Sequence, residues 1–237
     1  MRLAVLASGG GSIFQSIVDH VRLGVLQGVE VTLLVCNRPG AGALERARKS
    51  GVKSLLITSR RDDGSKKSKA VFESEIIGAL KEHGIDLIFL AGWDKILDAT
   101  VDEYPYRIMN SHPSLLPAFS GLYGLDVHRA VLDRGCKISG CTVHYVDKGV
   151  DTGPIILQRA VPVSEYETPE TLAGKVKAVE QLLAPMAIQL HVDGRVSLVN
   201  KGQSIVTHID YSGGWLEGWR ERQQHYLEVR GEVYGEG

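Results

Sequence analysis

The sequence predicts an α/β protein: a doubly wound, mostly parallel sheet with an antiparallel hairpin in its C-terminal half. Three observations carry this reading. Short apolar runs alternate with segments of helical periodicity through residues 2–90, and parallel neighbours need the crossover connections that helices supply. A glycine cluster, Ser8-Gly9-Gly10-Gly11-Ser12, separates the first apolar run from the first helical segment. Two strand-like segments flank the glycine-bounded stretch 149–154, as the arms of a hairpin would.

Each element is read from its residues. Leu3, Ala4, Val5, Leu6 and Ala7 are all apolar, as in a central strand buried on both faces. Phe14, Ile17, Val18, Val21 and Leu26 then recur at helical spacing. Residues 29–36 are a second apolar, β-branched run, 41–50 are helical in composition, and 53–57 read as a third strand. Val71, Ile76, Ile77 and Leu80 mark a longer helix ending near Gly84, and 85–90 a fourth strand. Residues 106–109 form a short strand entering the segment NSHPSLLP at 110–117; a loop continues to about Gly124, and 127–132 look helical. In 139–146, Cys141, Val143 and Tyr145 alternate with Thr142, His144 and Val146, the period of a strand. Residues 155–163 are its expected antiparallel partner. The segment 168–191 reads as a long amphipathic helix, with Thr168 to cap it, Pro169 in its first turn and Glu170 complementing its dipole. Residues 196–199 are expected to return as an edge strand, and everything after Gly213 reads as an appendage. Trp215 and Trp219 in that tail are four apart and suited to pack on their own domain or on a partner.

Composition excludes several classes. With 237 residues, 43% hydrophobic and 23% charged, the chain is ordinary for a globular protein and unlike a disordered one. A net charge of −1 gives no basic field for nucleic acid or an anionic membrane. There is no run of about 18 apolar residues to span a bilayer and no signal-peptide core before the first glycines. Cys36, Cys136 and Cys141 lack metal-ligand spacing and read as free thiols of a reducing compartment. The expectation is a cytoplasmic protein acting on small molecules, without metal, nucleic acid or membrane, and either monomer or homodimer.

Three clusters can carry chemistry. The glycine loop permits positive φ and close backbone approach, and the helix start behind it offers unpaired N–H groups suited to a phosphate. Its spacing fits neither the dinucleotide nor the Walker pattern. Asn110 and His112 are two apart at a strand end, so their side chains emerge on one side and can converge on one carbonyl oxygen, with Pro113 and Pro117 stiffening the loop beyond them. The third cluster is HYVDKGVDTGPII at 144–156. Spacing does not say whether Asp151, Asp102 or Asp133 meets His112, and the aspartates also suit a solvated turn. His144 reads as packed inside a strand and His128 as a helix residue. His20, His83, His191, His208 and His225 read as structural or solvated.

The motifs SGGGS at 8–12, NSHPSLLP at 110–117 and HYVDKGVDTGPII at 144–156 resemble those of the folate-dependent formyltransferases, in particular the glycinamide ribonucleotide formyltransferases, over about residues 1–200. The resemblance implies a Rossmann-like formyltransferase fold with 1–105 as a phosphate- and nucleotide-binding half, 106–200 as a catalytic and folate-binding half, and 201–237 as the appendage. It implies transfer of the formyl group of 10-formyltetrahydrofolate, as co-substrate, to the amine of glycinamide ribonucleotide in purine synthesis. Asn110, His112 and Asp151 would be catalytic, with His112 kept protonated by the carboxylate. Backbone N–H groups of Gly11, Ser12 and Ile13 would bind the ribonucleotide phosphate, and Lys177 and Glu180 the rest of that substrate, with Glu180 at its amino end. Lys69, Asp94, Lys95, Ile96, Leu97, Val146 and Asp147 would line the folate site. The family commonly has asparagine at the position of Ile13 and an apolar residue followed by arginine at Asp94-Lys95. The 118–125 loop is longer than in compact members and is expected as a lid over the folate. These departures make a formyltransferase acting on another small amine the alternative. A tRNA formyltransferase would carry a further C-terminal domain and basic surface. A formyltetrahydrofolate hydrolase would carry an N-terminal regulatory domain, where here the first strand is expected from residue 2. A non-catalytic nucleotide-binding module would not need the Asn110, His112 and Asp151 set.

Overall fold

A computed structural model describes residues 1–61 and 63–234. Five parallel strands, β1 (Arg2–Ala7), β2 (Glu30–Cys36), β3 (Lys53–Leu56), β4 (Leu87–Leu90) and β5 (Ile108–His112), are continued by β6 (Ile138–Tyr145), antiparallel to β5, and β7 (Ile155–Pro162), antiparallel to β6. The order is β3-β2-β1-β4-β5-β6-β7. The chain thus winds outward from β1 to β3, then returns to the other side of β1 with β4. That reversal opens a crevice beyond the carboxyl ends of β1 and β4, where sheets of this kind bind ligands.

The helices are α1 (Ser12–Arg22), α2 (Gly42–Lys49), α3 (Lys69–Glu82), the short α4 (Ala99–Glu103), α5 (Leu125–Asp133), α6 (Pro169–Val192) and α7 (Trp215–Tyr234). Strand alternation divides the core. Leu3, Val5 and Ala7 point to a cluster with α1 and α6, whereas Ala4 and Leu6 point to one with α3. Thr168 caps α6 in a reciprocal box: its hydroxyl accepts from Thr171 N–H while the Thr171 hydroxyl accepts from Thr168 N–H.

Several elements differ from expectation. α1 stops at Arg22, and Leu26 reaches the core through the following turn instead of the helix. β5 extends to His112, so Asn110 and His112 lie within the strand. Residues 196–199 belong to β8 (Val196–Lys201), which pairs only with β9 (Ser204–Ile209) in a separate two-stranded sheet. The 200/201 boundary therefore falls inside a hairpin. The tail after Gly213 does not stand apart: Trp219 and Tyr226 of α7 are each 1% exposed and join the α1 and α6 cluster. The charged and polar residues 220–225 between those aromatics disguise this face in the sequence. The Leu116–Pro117 peptide is cis.

Candidate active site

A cavity of about 670 Å³ occupies the crevice, a size suited to a small molecule or cofactor. One end is the glycine loop. Gly11 caps α1 with φ 74°, and a β-carbon there would sit 2.7 Å from Ala43 Cα. Only glycine therefore lets α2 approach. The loop is braced by Ala43 N–H and Arg46 Nε, which donate to the Gly9 and Gly10 carbonyls. No side chain caps α1, which leaves its first-turn N–H groups without a capping partner, and Gly11, Ser12 and Ile13 line the cavity end. Ser12 is the first helical residue.

The middle of the cavity holds the polar cluster. Asn110 pairs with His144 across the β5–β6 register. His144 Nδ1 lies 2.8 Å from the Tyr145 carbonyl, and Asn110 Nδ2 lies 3.2 Å from His144 Nε2. A carbonyl only accepts, so Nδ1 carries the proton and Nε2 accepts from the Asn110 amide. Burial holds His144 below its ordinary pKa, which is consistent with this neutral tautomer. One Asn110 N–H is thereby fixed and the other remains for a ligand.

His112 Nδ1 is 3.2 Å from Asp151 Oδ2, and its Nε2 is 3.2 Å from the Phe119 carbonyl. Two acceptors favour the charged ring, yet burial outweighs the attraction of Asp151 and the Phe119 bond and lowers the His112 pKa. Burial thus works against the expectation that the carboxylate keeps the ring protonated. Asp151 is held in place from the 118–125 loop: its Oδ2 accepts Gly121 N–H at 2.9 Å, and Ser120 Oγ donates to the Val150 carbonyl. Asp151 has φ 57°, a left-handed conformation that aspartate tolerates better than most residues. Of the three candidate aspartates, Asp151 is the one beside His112. Asp102 instead pairs with Lys148 at 2.8 Å.

The opposite wall comes from α6. Glu180 is 7% exposed, and its Oε1 accepts the Ser111 hydroxyl at 2.6 Å. Burial raises its pKa to about 7, with Ser111 and Lys177 working the other way. Lys177 and Glu180 both line the cavity, as the spacing on one helix face requires. His144, expected as a packed strand residue, and His128, expected as a helix residue, lie here as well. His144 orients Asn110, and His128, 4% exposed, lines the cavity near Lys177. The only sequence signal for His144 was its position opposite Asn110, which needs the strand register.

The remaining predicted residues divide. Ile13, Lys95, Ile96, Leu97, Val146 and Asp147 line the cavity. Leu97 is also core, 3% exposed, whereas Ile96 is 58% exposed. Asp147 turns into its own hairpin, accepting from Gly149 N–H and Thr152 Oγ1. Asp94 borders the cavity, but its carboxylate is occupied by Ser8, Asn37, Arg38 and Lys95. Partial burial opposes its charge, yet the bonds from Asn37, Arg38 and Ser8 win and hold it at about 2. It is a brace joining the ends of β1, β2 and β4. Lys69 is outside the cavity lining, paired with Asp98. Among the described residues, no group of histidine, cysteine and acidic side chains could hold a metal ion, and no helix is long and apolar enough to cross a membrane.

Comparison with known proteins agrees with this architecture. The formyl transferase family matches residues 1–188. The chain is 39% identical over 189 residues to phosphoribosylglycinamide formyltransferase of Bacillus subtilis, covering 79% of this chain and 93% of that one. It is 41% identical over 185 residues to the chloroplastic phosphoribosylglycinamide formyltransferase of Arabidopsis thaliana, 77% of this chain and 62% of that one. It also matches, at 41% over 196 residues and 81% of its own length, 14% of the trifunctional purine biosynthetic protein adenosine-3 of Drosophila melanogaster. Among solved structures, glycinamide ribonucleotide transformylase 1 of Symbiobacterium toebii superposes with a TM-score of 0.79 at 40% identity, over 88% of this chain and 93% of that one. The chain belongs to the formyl transferase family.

Proposed function

We propose that the protein transfers the formyl group of 10-formyltetrahydrofolate to the primary amine of glycinamide ribonucleotide. The observation that carries this reading is the convergence of Asn110, His112 and Asp151 midway along a cavity that has phosphate-type N–H groups at one end and a buried carboxylate on the facing wall. In this reading the phosphate sits on Gly11, Ser12 and Ile13, Lys177 and Glu180 hold the rest of the acceptor, and the folate lies along Lys95–Leu97 and Val146–Asp147.

The amine attacks the formyl carbon, and negative charge grows on the formyl oxygen. Donors aimed at that oxygen lower the barrier. Asn110 supplies the N–H that His144 leaves free. His112 supplies its Nε2–H, exchanging the Phe119 carbonyl for the formyl oxygen. Negative charge on the formyl oxygen joins Asp151 in favouring the charged ring against burial, with the Nδ1–H donated to Asp151. Asp151 also accepts the proton leaving the amine, directly or through water, for return to the folate nitrogen as the tetrahedral intermediate collapses.

Ile13 in the cavity wall favours another small amine as acceptor, since a polar side chain is missing beside the phosphate end. Steady-state formyl transfer with glycinamide ribonucleotide and a panel of small amines decides between them. Preference for the ribonucleotide is expected; no detectable rate with it overturns the assignment.

A further inference from the structure

The joint between α1 and α6 lies directly behind the acceptor site. α6 contains Pro185, which has no N–H to give the Gln181 carbonyl four residues earlier. Gln181 is 8% exposed, so water does not readily replace the lost donor, and a buried orphan carbonyl is destabilising. Ser16 of α1, 2% exposed, supplies the donor: its Oγ lies 2.5 Å from the Gln181 oxygen. Gln181 follows Glu180, and Ser16 is one turn after Ser12. The bond therefore ties the helix whose start faces the phosphate end to the helix that carries Lys177 and Glu180.

α7 reinforces the same point from outside the 1–188 family match. Gln223 Nε2 donates to the Leu182 carbonyl at 3.1 Å, and Arg230 donates to Gln181 Oε1 at 2.9 Å and to the Tyr226 hydroxyl at 3.1 Å. The Tyr226 ring stacks 3.7 Å from His20, whose Nδ1 bonds the Ser16 carbonyl. A helix lacking a ladder bond is a place where it can bend, and here that place is within a turn of Glu180.

We propose that Ser16 is a positioning residue: by capping the carbonyl that Pro185 leaves open, and with α7 clamping the joint, it sets the spacing between the phosphate end and the amine end of the acceptor site. The proposal rests on the acceptor reading above. Displacements of about 1 Å in such a frame suffice to lower turnover strongly, and only the acceptor spans both helices.

The test is a cycle on the full chain with Ser16→Ala, Pro185→Ala and both. Pro185→Ala restores the N–H that Gln181 lacks. Ser16→Ala alone is expected to raise the KM for glycinamide ribonucleotide about tenfold while leaving that for 10-formyltetrahydrofolate unchanged, and to lower Tm by about 2–6 °C. In the Pro185→Ala background both effects shrink towards zero. Gln223→Leu, which keeps bulk and removes the bond to α6, gives a smaller rise confined to the same substrate and serves if Ser16→Ala fails to fold. Equal effects of Ser16→Ala in the two backgrounds, or equal rises in both KM values for either variant, overturn the proposal. Failure of the acceptor reading looks different: the unsubstituted protein itself then shows no rate, while the melting cycle still reports whether the cap exists.

Discussion

Asn110 and Asp151 are each held in place by a neighbour. His144 fixes Asn110 because the Tyr145 carbonyl dictates its tautomer. Asp151 is aimed at His112 by the Gly121 N–H. Asp151→Asn keeps both shape and tolerance of a left-handed backbone while removing the charge. It is expected to lower kcat by about 10²–10⁴ with an unchanged circular dichroism spectrum; near-native turnover refutes a catalytic role. Glu180 gives a second prediction. With its pKa raised to about 7, it is largely protonated at pH 6, and a cationic amine drawn against it favours the carboxylate. Calorimetric titration with the ribonucleotide in buffers of different ionisation enthalpy should show proton release at pH 6 and none at pH 9. Glu180→Gln should abolish the pH 6 release, and its persistence in that variant assigns it elsewhere.

Among the elements, the glycine turn into α1 and the loop over Asp151 define the two ends of the chemistry. Gly11→Ala forces a methyl against the Ala43 backbone at 2.7 Å and puts a β-carbon at φ 74°. α1 must shift away from α2. A rise of at least about tenfold in the acceptor KM is expected, because close backbone approach is what the phosphate needs, together with a lower Tm. An unchanged acceptor KM means the phosphate binds elsewhere. The expected lid, 118–125, reaches Asp151 and Val150 and also places the Tyr123 hydroxyl 3.1 Å from the Gly92 carbonyl. The loop is thus tied to the ends of both β4 and the hairpin. The turn 149–154 was legible as glycine-bounded, but its contact with residues thirty positions earlier was not, since nothing local encodes it.

Across the whole molecule, burial of ionisable groups shapes pH stability. His20, His112, His128, His144 and His191 all have lowered pKa values, in each case chiefly by burial, with His20 at about 4. The unfolded chain takes up protons at these rings near pH 6.5 and the folded one does not. Their stabilisation is present above about pH 6.5 and is lost as pH falls towards the folded values. Glu180 acts in the opposite sense: its contribution is present below about pH 4.5 and is lost as pH rises through about 7. Thermal melting without substrate should therefore show Tm falling from pH 6.5 to pH 4. Glu180→Gln should raise Tm more at pH 8 than at pH 5. A variant equally stabilised at both pH values would mean that Glu180 is not raised in the folded state.

The sequence by itself determined the winding of the sheet, the glycine turn, the capped long helix and the side-by-side placement of Asn110 and His112. All of these are periodic or local, and local sterics and hydrophobic pattern encode them in neighbouring residues. Family resemblance, not spacing, singled out Asp151. The tertiary structure decided what depends on distant segments meeting. The β5–β6 register put His144 behind Asn110, burial lowered the pKa of His112, and packing turned Asp94 into a brace. α7, whose apolar face is interrupted by charged and glycine residues, became part of the core because α1 and α6 present the groove that completes it.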